Sequence, residues 1–438
     1  MIRALATLAP LAAFLAMALP ARAIEIEPVV APETGVEALV VEDRTNPIVT
    51  LRIAFPHGAL AEGEDERGLS RLLSSLLDEG AGELDAVAFQ DRLDALGVRF
   101  FASAGSEGFR AGVTALEDRF PQAVAMLALA LGEPRFDAEP TARMKRQLVS
   151  SIRASRATPR AEAAARVREL LWGDHPYARD RDGDPETILA ATPDDLRRMA
   201  DRLFVREGAS VAVVGSIDPE AAAAAVDRVF AALPDRSDAE PVPPTEPALG
   251  LDEVLEMPGG QASIRAVLAA PARDDPDFFP AYLVNHVLGG GSFTSRLYAE
   301  LREKRGLTYG ASSGLSPREA ASTWQASVST RPDNADEARA ILLGEIERMA
   351  REGPTEEELA AAKAFVKGSY AIENLDTSGS VAGALLGIQE NDLGLDYIER
   401  RDELIDAVTI EDARRVAAAY LGRTPTVITV LPEGAAGG

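Results

Sequence analysis

The sequence predicts an α+β fold of two homologous domains, each a mostly antiparallel sheet covered by helices. Three observations carry that prediction: the chain is written twice, a proline-rich stretch separates the copies, and each copy mixes strands and helices without strict alternation. Four stretches repeat in order. TLRIAF from Thr50 matches SIRAVL from Ser263, and Val113, at the end of a strand-like run, matches Val328. TPDDLRRM from Thr192 matches TIEDARRV from Thr409, and VAVVG from Val211 matches VITVL from Val427. The offsets stay between 213 and 217 residues, a period that means a duplicated domain and not a solenoid. Residues 235–250 (DRSDAEPVPPTEPALG) carry Pro241, Pro243, Pro244 and Pro247 among acids, with no apolar periodicity. That composition marks a semi-rigid linker, so the expected domains are 24–234 and 251–438.

Within each copy a strand (Val49–Phe55; Ser263–Ala269) leads to an amphipathic helix (Leu69–Leu77; Phe279–Leu288). More strand pattern, further helices and a closing strand follow, an order that fits sheets covered by helices on one face. Leu69, Leu72, Leu73, Leu76 and Leu77 fall at the i, i+3, i+4, i+7, i+8 spacing of a buried helical face. The helical stretches are rich in alanine, leucine, glutamate and arginine, as helix propensity favours.

Composition narrows the chemistry. The 438 residues are 46% hydrophobic and 26% charged, a globular balance in a chain long enough to bury its own cores. Cysteine is absent, which excludes disulfides, thiolate zinc sites, iron–sulfur clusters and cysteine nucleophiles. His57, His175 and His286 are the only histidines, too few for a histidine-rich metal site. His57 follows a strand without a partner at ligand spacing, and His286 shares a helix with Leu283 and Val287, as a partly buried structural residue does. A net charge of −25 argues against a nucleic-acid partner and biases encounter toward basic peptides.

Residues 1–23 read as a secretory signal: Arg3 is followed by an apolar run to Leu19 and a small-x-small site at Ala21-Arg22-Ala23. The run is shorter than the roughly 20 residues a membrane span needs. The expectation is an exported protein with no membrane span after cleavage, periplasmic in a Gram-negative host.

Two places bear on catalysis. Arg71, Ser74 and Ser75 stand at i, i+3 and i+4 on another face of the leucine-rich helix, the spacing at which H-x-x-E-H presents two histidines and a glutamate to one zinc ion. A guanidinium keeps its proton and serine hydroxyls are poor zinc ligands, so this chain is expected to hold no metal there. In the second copy Gly289-Gly290-Gly291-Ser292-Phe293-Thr294-Ser295-Arg296-Leu297 runs into LREKRGLTY, Leu301 to Tyr309. No Gly-Lys-Ser/Thr follows the glycines, so they mark a tight turn or close backbone approach and not a phosphate loop. Taken alone, Arg302 caps a helix ending at Arg305-Gly306 and Tyr309 is a strand core residue. The last helical turn and a strand start at Leu307–Tyr309 can also bring the two side chains beside each other.

The segment Gly58–Gly82 and the REKRGLTY motif resemble the pitrilysin/insulinase family of zinc peptidases, in its short, mitochondrial-processing-peptidase-like branch. The resemblance spans both copies. It implies that Arg71, Ser74 and Ser75, with Ser150 or Ser151 in QLVSSIRAS, stand at degenerate metal-ligand positions. It implies that Arg302 and Tyr309, with Gly290 and Gly291 of the glycine loop, contact the peptide being cut. His175-Pro176-Tyr177 matches a retained family element, for which packing or capping is the expected role. Some members of the branch work as heterodimers, so the resemblance implies a subunit inactive alone, without a cofactor of its own, paired with a homologue that carries zinc. The other open reading is a non-catalytic peptide-binding or assembly protein of the same fold. An independent peptidase with a relocated metal site is the weakest, because three scattered histidines cannot form H-x-x-E-H.

A last feature is a basic stretch: Arg143, Lys145, Arg146, Arg153, Arg156, Arg160, Arg166 and Arg168 share their segment with Glu162 alone among acids. It is expected to be a solvated helical face or, alternatively, a surface for an acidic partner.

Overall fold

The computed structural model describes residues 24–157 and 159–434; the secretory-signal segment lies outside the described residues. The first half contains strands β1 (Glu27–Val30), β2 (Glu37–Glu42), β3 (Ile48–Phe55), the two-residue β4 (Gly80–Ala81) and β5 (Leu84–Asp85), β6 (Arg99–Ala104), β7 (Phe109–Leu116) and β8 (Ser210–Gly215). Its helices are α1 (Leu69–Ser74), α2 (Ala86–Leu96), α3 (Phe120–Gly132), α4 (Ala138–Arg156), α5 (Pro159–Trp172), α6 (Pro185–Ala190), α7 (Pro193–Leu203) and α8 (Pro219–Phe230). The second half contains strands β9 (Asp252–Met257), β10 (Ala262–Ala269), β11 (Ala311–Ser316), β12 (Thr323–Thr330) and β13 (Thr426–Pro432). Its helices are α9 (Phe278–Asn285), α10 (Arg296–Tyr298), α11 (Ala335–Glu352), α12 (Glu356–Asn374), α13 (Ser378–Glu390), α14 (Tyr397–Ala407) and α15 (Ile410–Val416).

The duplication reaches the register of individual pairs. The sheets run β1-β2-β8-β3-β7-β6 and β11-β12-β10-β13-β9, one order read from opposite ends, with β1 added. Leu51 on β3 lies opposite Val113 and Val213, and Ile264 on β10 lies opposite Val328 and Thr429. These are the partners that the sequence repeat aligns. All pairings are antiparallel except β2 with β8 and β9 with β13. The repeated Thr-x-x-Asp becomes the same device twice. Thr192 and Asp195 close a capping box at the start of α7, and Thr409 and Asp412 close one at the start of α15, each satisfying backbone donors the helix leaves free.

Helices of the same half bury one face of each sheet, around Leu51, Ile53 and Phe55 in the first and Ile264, Trp324 and Leu342 in the second. The other face is closed by the opposite half. From α13, Val381, Ala382, Leu385 and Leu386 pack on Leu39, Val41, Ala212 and Val214. From α5, Val167, Leu171 and Trp172 pack with Met257, Val267, Ile428 and Val430. The exchange explains why β8 and β13 are apolar at consecutive positions, since strands covered on both faces have no reason to alternate. Among the described residues no helix is long and apolar enough to cross a membrane.

One element is shorter than its periodicity predicts: α1 ends at Ser74, although Leu76 and Leu77 are fully buried beyond it. The hydroxyls of Ser74 and Ser75 donate to the carbonyls of Arg71 and Leu72 at 2.8 and 2.7 Å, and such local bonds compete with the helical ladder. A turn then carries the chain to Gly80, whose φ of 113° suits glycine.

Candidate functional site

The first-half position is filled by its own side chains. The five leucines Leu69, Leu72, Leu73, Leu76 and Leu77 are at most 2% exposed and fix the segment against the core, each worth about 1.5–3 kcal/mol of burial. Arg71 leaves that core and forms an ion pair with Asp182 at 2.6 Å. Ser74 and Ser75 are occupied with backbone carbonyls, and Ser150 and Ser151 are exposed on α4. This set does not fit zinc: it offers a fixed cation and neutral hydroxyls where a dication needs imidazole or carboxylate. Among the described residues no three histidine, cysteine, aspartate or glutamate side chains group so as to hold a metal.

A buried carboxylate at the entry to this helix is otherwise engaged. Glu62, 4% exposed, accepts the Gly68 and Ser70 amides at 2.8 and 2.7 Å and the Ser70 hydroxyl at 2.6 Å. Burial pushes its pKa up, against the pull of those three bonds. It therefore holds the entry to α1 in place.

The histidines sit in three separate settings. His175 Nδ1 accepts from the Tyr177 amide at 3.1 Å, and its Nε2 lies 2.9 Å from the Pro243 carbonyl, which ties this turn to the proline-rich segment. Tyr177 is 3% exposed; its hydroxyl donates to Glu107 and accepts from the Ala320 amide at 2.9 Å. That hydroxyl joins the two halves, so His175-Pro176-Tyr177 is a packing and capping element. The His286 ring packs at a tilt against Phe365 with centroids 4.9 Å apart, and burial lowers its pKa. His57 lies in the wall of an inter-half cavity, its pKa also lowered by burial.

The second-half motif is arranged differently. A π-helical turn, Ala299–Glu303, continues α10 and carries Arg302, and Gly306 takes a φ of 64° to turn the chain back. Tyr309 lies in a bend two residues before β11. It is therefore not the strand core residue that its β propensity predicts: 87% of it is exposed. The Arg302 guanidinium stands 5.0 Å from its ring centroid, within the range of a cation–π contact. Arg302 and Tyr309 are thus brought together, but no bond or ring contact joins them to Arg71, Ser74 or Ser75, and neither lines the inter-half cavity beside His57.

The glycine loop has a structural cause. A Cβ at Gly289 would lie 2.4 Å from the Ser313 amide, and one at Gly291 would lie 2.8 Å from the His286 carbonyl. A Cβ at Gly290 would lie 2.7 Å from the Asn285 side chain, whose Oδ1 accepts from Ser313 Oγ and Trp324 Nε1 at 2.7 and 2.9 Å. Gly290 and Gly291 therefore let the loop press on its own sheet and helix.

The basic stretch is mostly paired and not an open face. Arg143 bonds Glu79, Lys145 the carbonyls of Leu189 and Ala191, and Arg166 reaches Glu253 of the second half at 2.9 Å. Arg156 and Arg168 both face Asp180. Of these partners, Asp180 is signalled in the sequence by RDRDGDP, Arg179 to Pro185, an acid-rich run shortly after the His-Pro-Tyr element.

Comparison with known proteins agrees with this architecture. Residues 38–183 match the family model described as insulinase (peptidase family M16), and residues 190–366 match that described as peptidase M16 inactive domain. An uncharacterized zinc protease of Streptomyces coelicolor is 26% identical over 377 residues, covering 83% of this chain and 81% of the relative. A non-peptidase homologue of Helicobacter pylori is 23% identical over 335 residues, covering 76% and 77%. The crystal structure of a peptidase M16 inactive domain from Pseudomonas fluorescens superposes with a TM-score of 0.86 at 27% identity, covering 93% of this chain and 98% of that one.

Proposed function

The chain belongs to the insulinase family, peptidase family M16, and from that membership we propose that it is the non-metal-binding subunit of a heterodimeric zinc peptidase. The inactive-domain match and the non-peptidase relative fit a family member without a catalytic centre of its own. In the proposal the protein is exported, to the periplasm in a Gram-negative host, with 24–234 and 251–438 as its domains and 235–250 as the joint. It pairs with a homologue that carries zinc and a glutamate general base. Arg302 holds a carbonyl or carboxylate of the peptide through its guanidinium fork. The Tyr309 hydroxyl donates to the oxyanion that forms as the peptide bond is attacked.

The single observation that carries this reading is the exposure of Tyr309 beside Arg302. The ring buries almost nothing for the fold, so a partner surface gives the pair its use. One observation favours the second reading, a peptide-binding or assembly protein without a catalytic part: the pair does not line the two cavities of about 910 and 1140 Å³ that the two halves wall together.

The test is co-purification from the native host, with zinc content and peptidase activity measured on the isolated chain and on the complex. The expected result is zinc and activity in the complex and neither in the isolated chain. Stoichiometric zinc and casein digestion by the isolated chain would overturn the proposal. So would a partner that cleaves as fast alone as in the mixture.

A further inference from the structure

We infer that an arginine-lined cavity, walled by the first half beside Arg71 and by Arg318 of the second half, binds a carboxylate-bearing peptide. The cavity encloses about 910 Å³, and Arg67, Arg156, Arg168, Arg179, Arg181 and Arg318 line it. Four acids also line it, Glu62, Glu169, Asp180 and Asp182, so the wall carries an excess of cations in a chain of net charge −25.

The acids are already used. Asp182 pairs with Arg71 at 2.6 Å, Asp180 is shared by Arg156 and Arg168 at 3.4 and 3.7 Å, and Glu169 pairs with Arg166 at 2.9 Å. Glu62 is committed to Gly68 and Ser70. Several cationic donors are not used. Among the described residues Arg181 makes no ion pair, and Arg318 lies only over the Tyr177 ring, 4.9 Å from its centroid. The Nε atoms of Arg67 and Arg168 are buried without a hydrogen-bond partner among the described residues. A guanidinium fork matches a carboxylate with two parallel bonds, and Arg181 and Arg318 have theirs unengaged by any acid among the described residues.

The size and continuity of the space select a peptide over a small free anion. This cavity adjoins a second of about 1140 Å³ between the halves, and Leu60, Ser106 and Arg318 line both. Either volume is at or above the upper end of small-ligand pockets. The acidity of the remaining surface repels a long polyanion, which leaves a short peptide carrying acidic side chains or a free C-terminal carboxylate. The local charge thus runs opposite to the basic-peptide bias of the net charge.

The inference rests on the reading that this protein handles peptides, and its test needs neither a partner nor cleavage, so the two fail separately. The isolated full chain is titrated with a fluorescent glutamate-containing peptide, followed by anisotropy. Parallel titrations use the same peptide with glutamate replaced by glutamine, with an amidated C-terminus, and with both changes. The doubly changed peptide is expected to bind at least about tenfold more weakly, with the single changes assigning the loss to side chains or terminus. Arg318→Gln, which strands no acid, and Arg168→Gln are each expected to weaken the unmodified peptide about tenfold, with thermal melts reporting the fold. Arg119→Gln, outside the cavity, should leave binding unchanged. Equal binding of the unmodified and doubly changed peptides would overturn the inference. Full affinity in Arg318→Gln, or complete displacement of the peptide by inorganic phosphate at matched ionic strength, would also overturn it.

Discussion

In the first half, the helix face that carries Arg71, Ser74 and Ser75 is closed by its own ion pair, Arg71 with Asp182, and by serine hydroxyls bonded to their own helix. In the second half, Arg302 and Tyr309 face outward and satisfy little except each other. Both regions stand on the same frame, with matching strand order, matching pair registers and matching capping boxes. The difference therefore lies in the side chains and not in the scaffold. Side chains satisfied within the fold act on stability, and side chains satisfied by nothing in the fold are free to act on another molecule.

The contrast breaks most sharply at Tyr309. Tyr309→Phe is expected to lower peptide hydrolysis by the reconstituted pair by about 10²–10³-fold, the usual size of a lost oxyanion donor, while the melting temperature of the isolated chain does not move. A large shift in melting with no change in rate would reverse the assignment.

The opposite behaviour is expected at Tyr177. Tyr177→Phe leaves Glu107 and the Ala320 amide without their shared partner and should cost about 1–3 kcal/mol in urea unfolding. Burial first, and then the bond to Glu107, raises the Tyr177 pKa. A raised pKa gives stability that is complete below the ordinary tyrosine value of about 10 and is lost as pH rises through the folded value. The wild-type chain should therefore lose stability at strongly alkaline pH more steeply than Tyr177→Phe, measured by urea midpoints across that range.

A smaller effect tests the equivalence of the halves. Thr192→Ala removes the α7 cap at a cost of about 1 kcal/mol, and Thr409→Ala should lower the melting temperature by a similar amount. The threonine hydroxyls hold Asp195 and Asp412 below the usual carboxylate range. That stability is present above the unfolded value of about 3.9 and is lost as pH falls through the lower folded values, so both variants should flatten the acid limb. The smallest effect is Arg71→Ala. Arg71 and Asp182 are each about one-third exposed, and loss of such a pair should cost no more than about 1 kcal/mol. A larger loss would mean that the Arg71–Asp182 pair carries more of the fold than its exposure allows.

Much of the frame was legible because duplication leaves a double record. The aligned pairs Leu51/Ile264 and Val113/Val328 recur as equivalent ladder partners, and Thr-x-x-Asp has a local cause that needs no tertiary context. The leucine stripe located the α1 core face, yet periodicity could not show that Ser74 and Ser75 end the helix by bonding back to it. The exchange of α5 and α13 between halves was not legible either, because a continuous apolar strand says that both faces are covered but not by what. At the candidate site, helical spacing grouped Arg71, Ser74 and Ser75, and the family resemblance singled out Arg302 and Tyr309. Neither located Asp182 as the partner of Arg71 or the arginine-lined cavity, whose members come from separate segments that only the tertiary fold assembles.

The most direct measurement is the rate of peptide hydrolysis by a zinc-bearing homologue mixed with this chain, compared with the same mixture made with Arg302→Ala/Tyr309→Phe at equal complex formation. The account predicts a rate near that of the homologue alone for the double variant. An undiminished rate would contradict it.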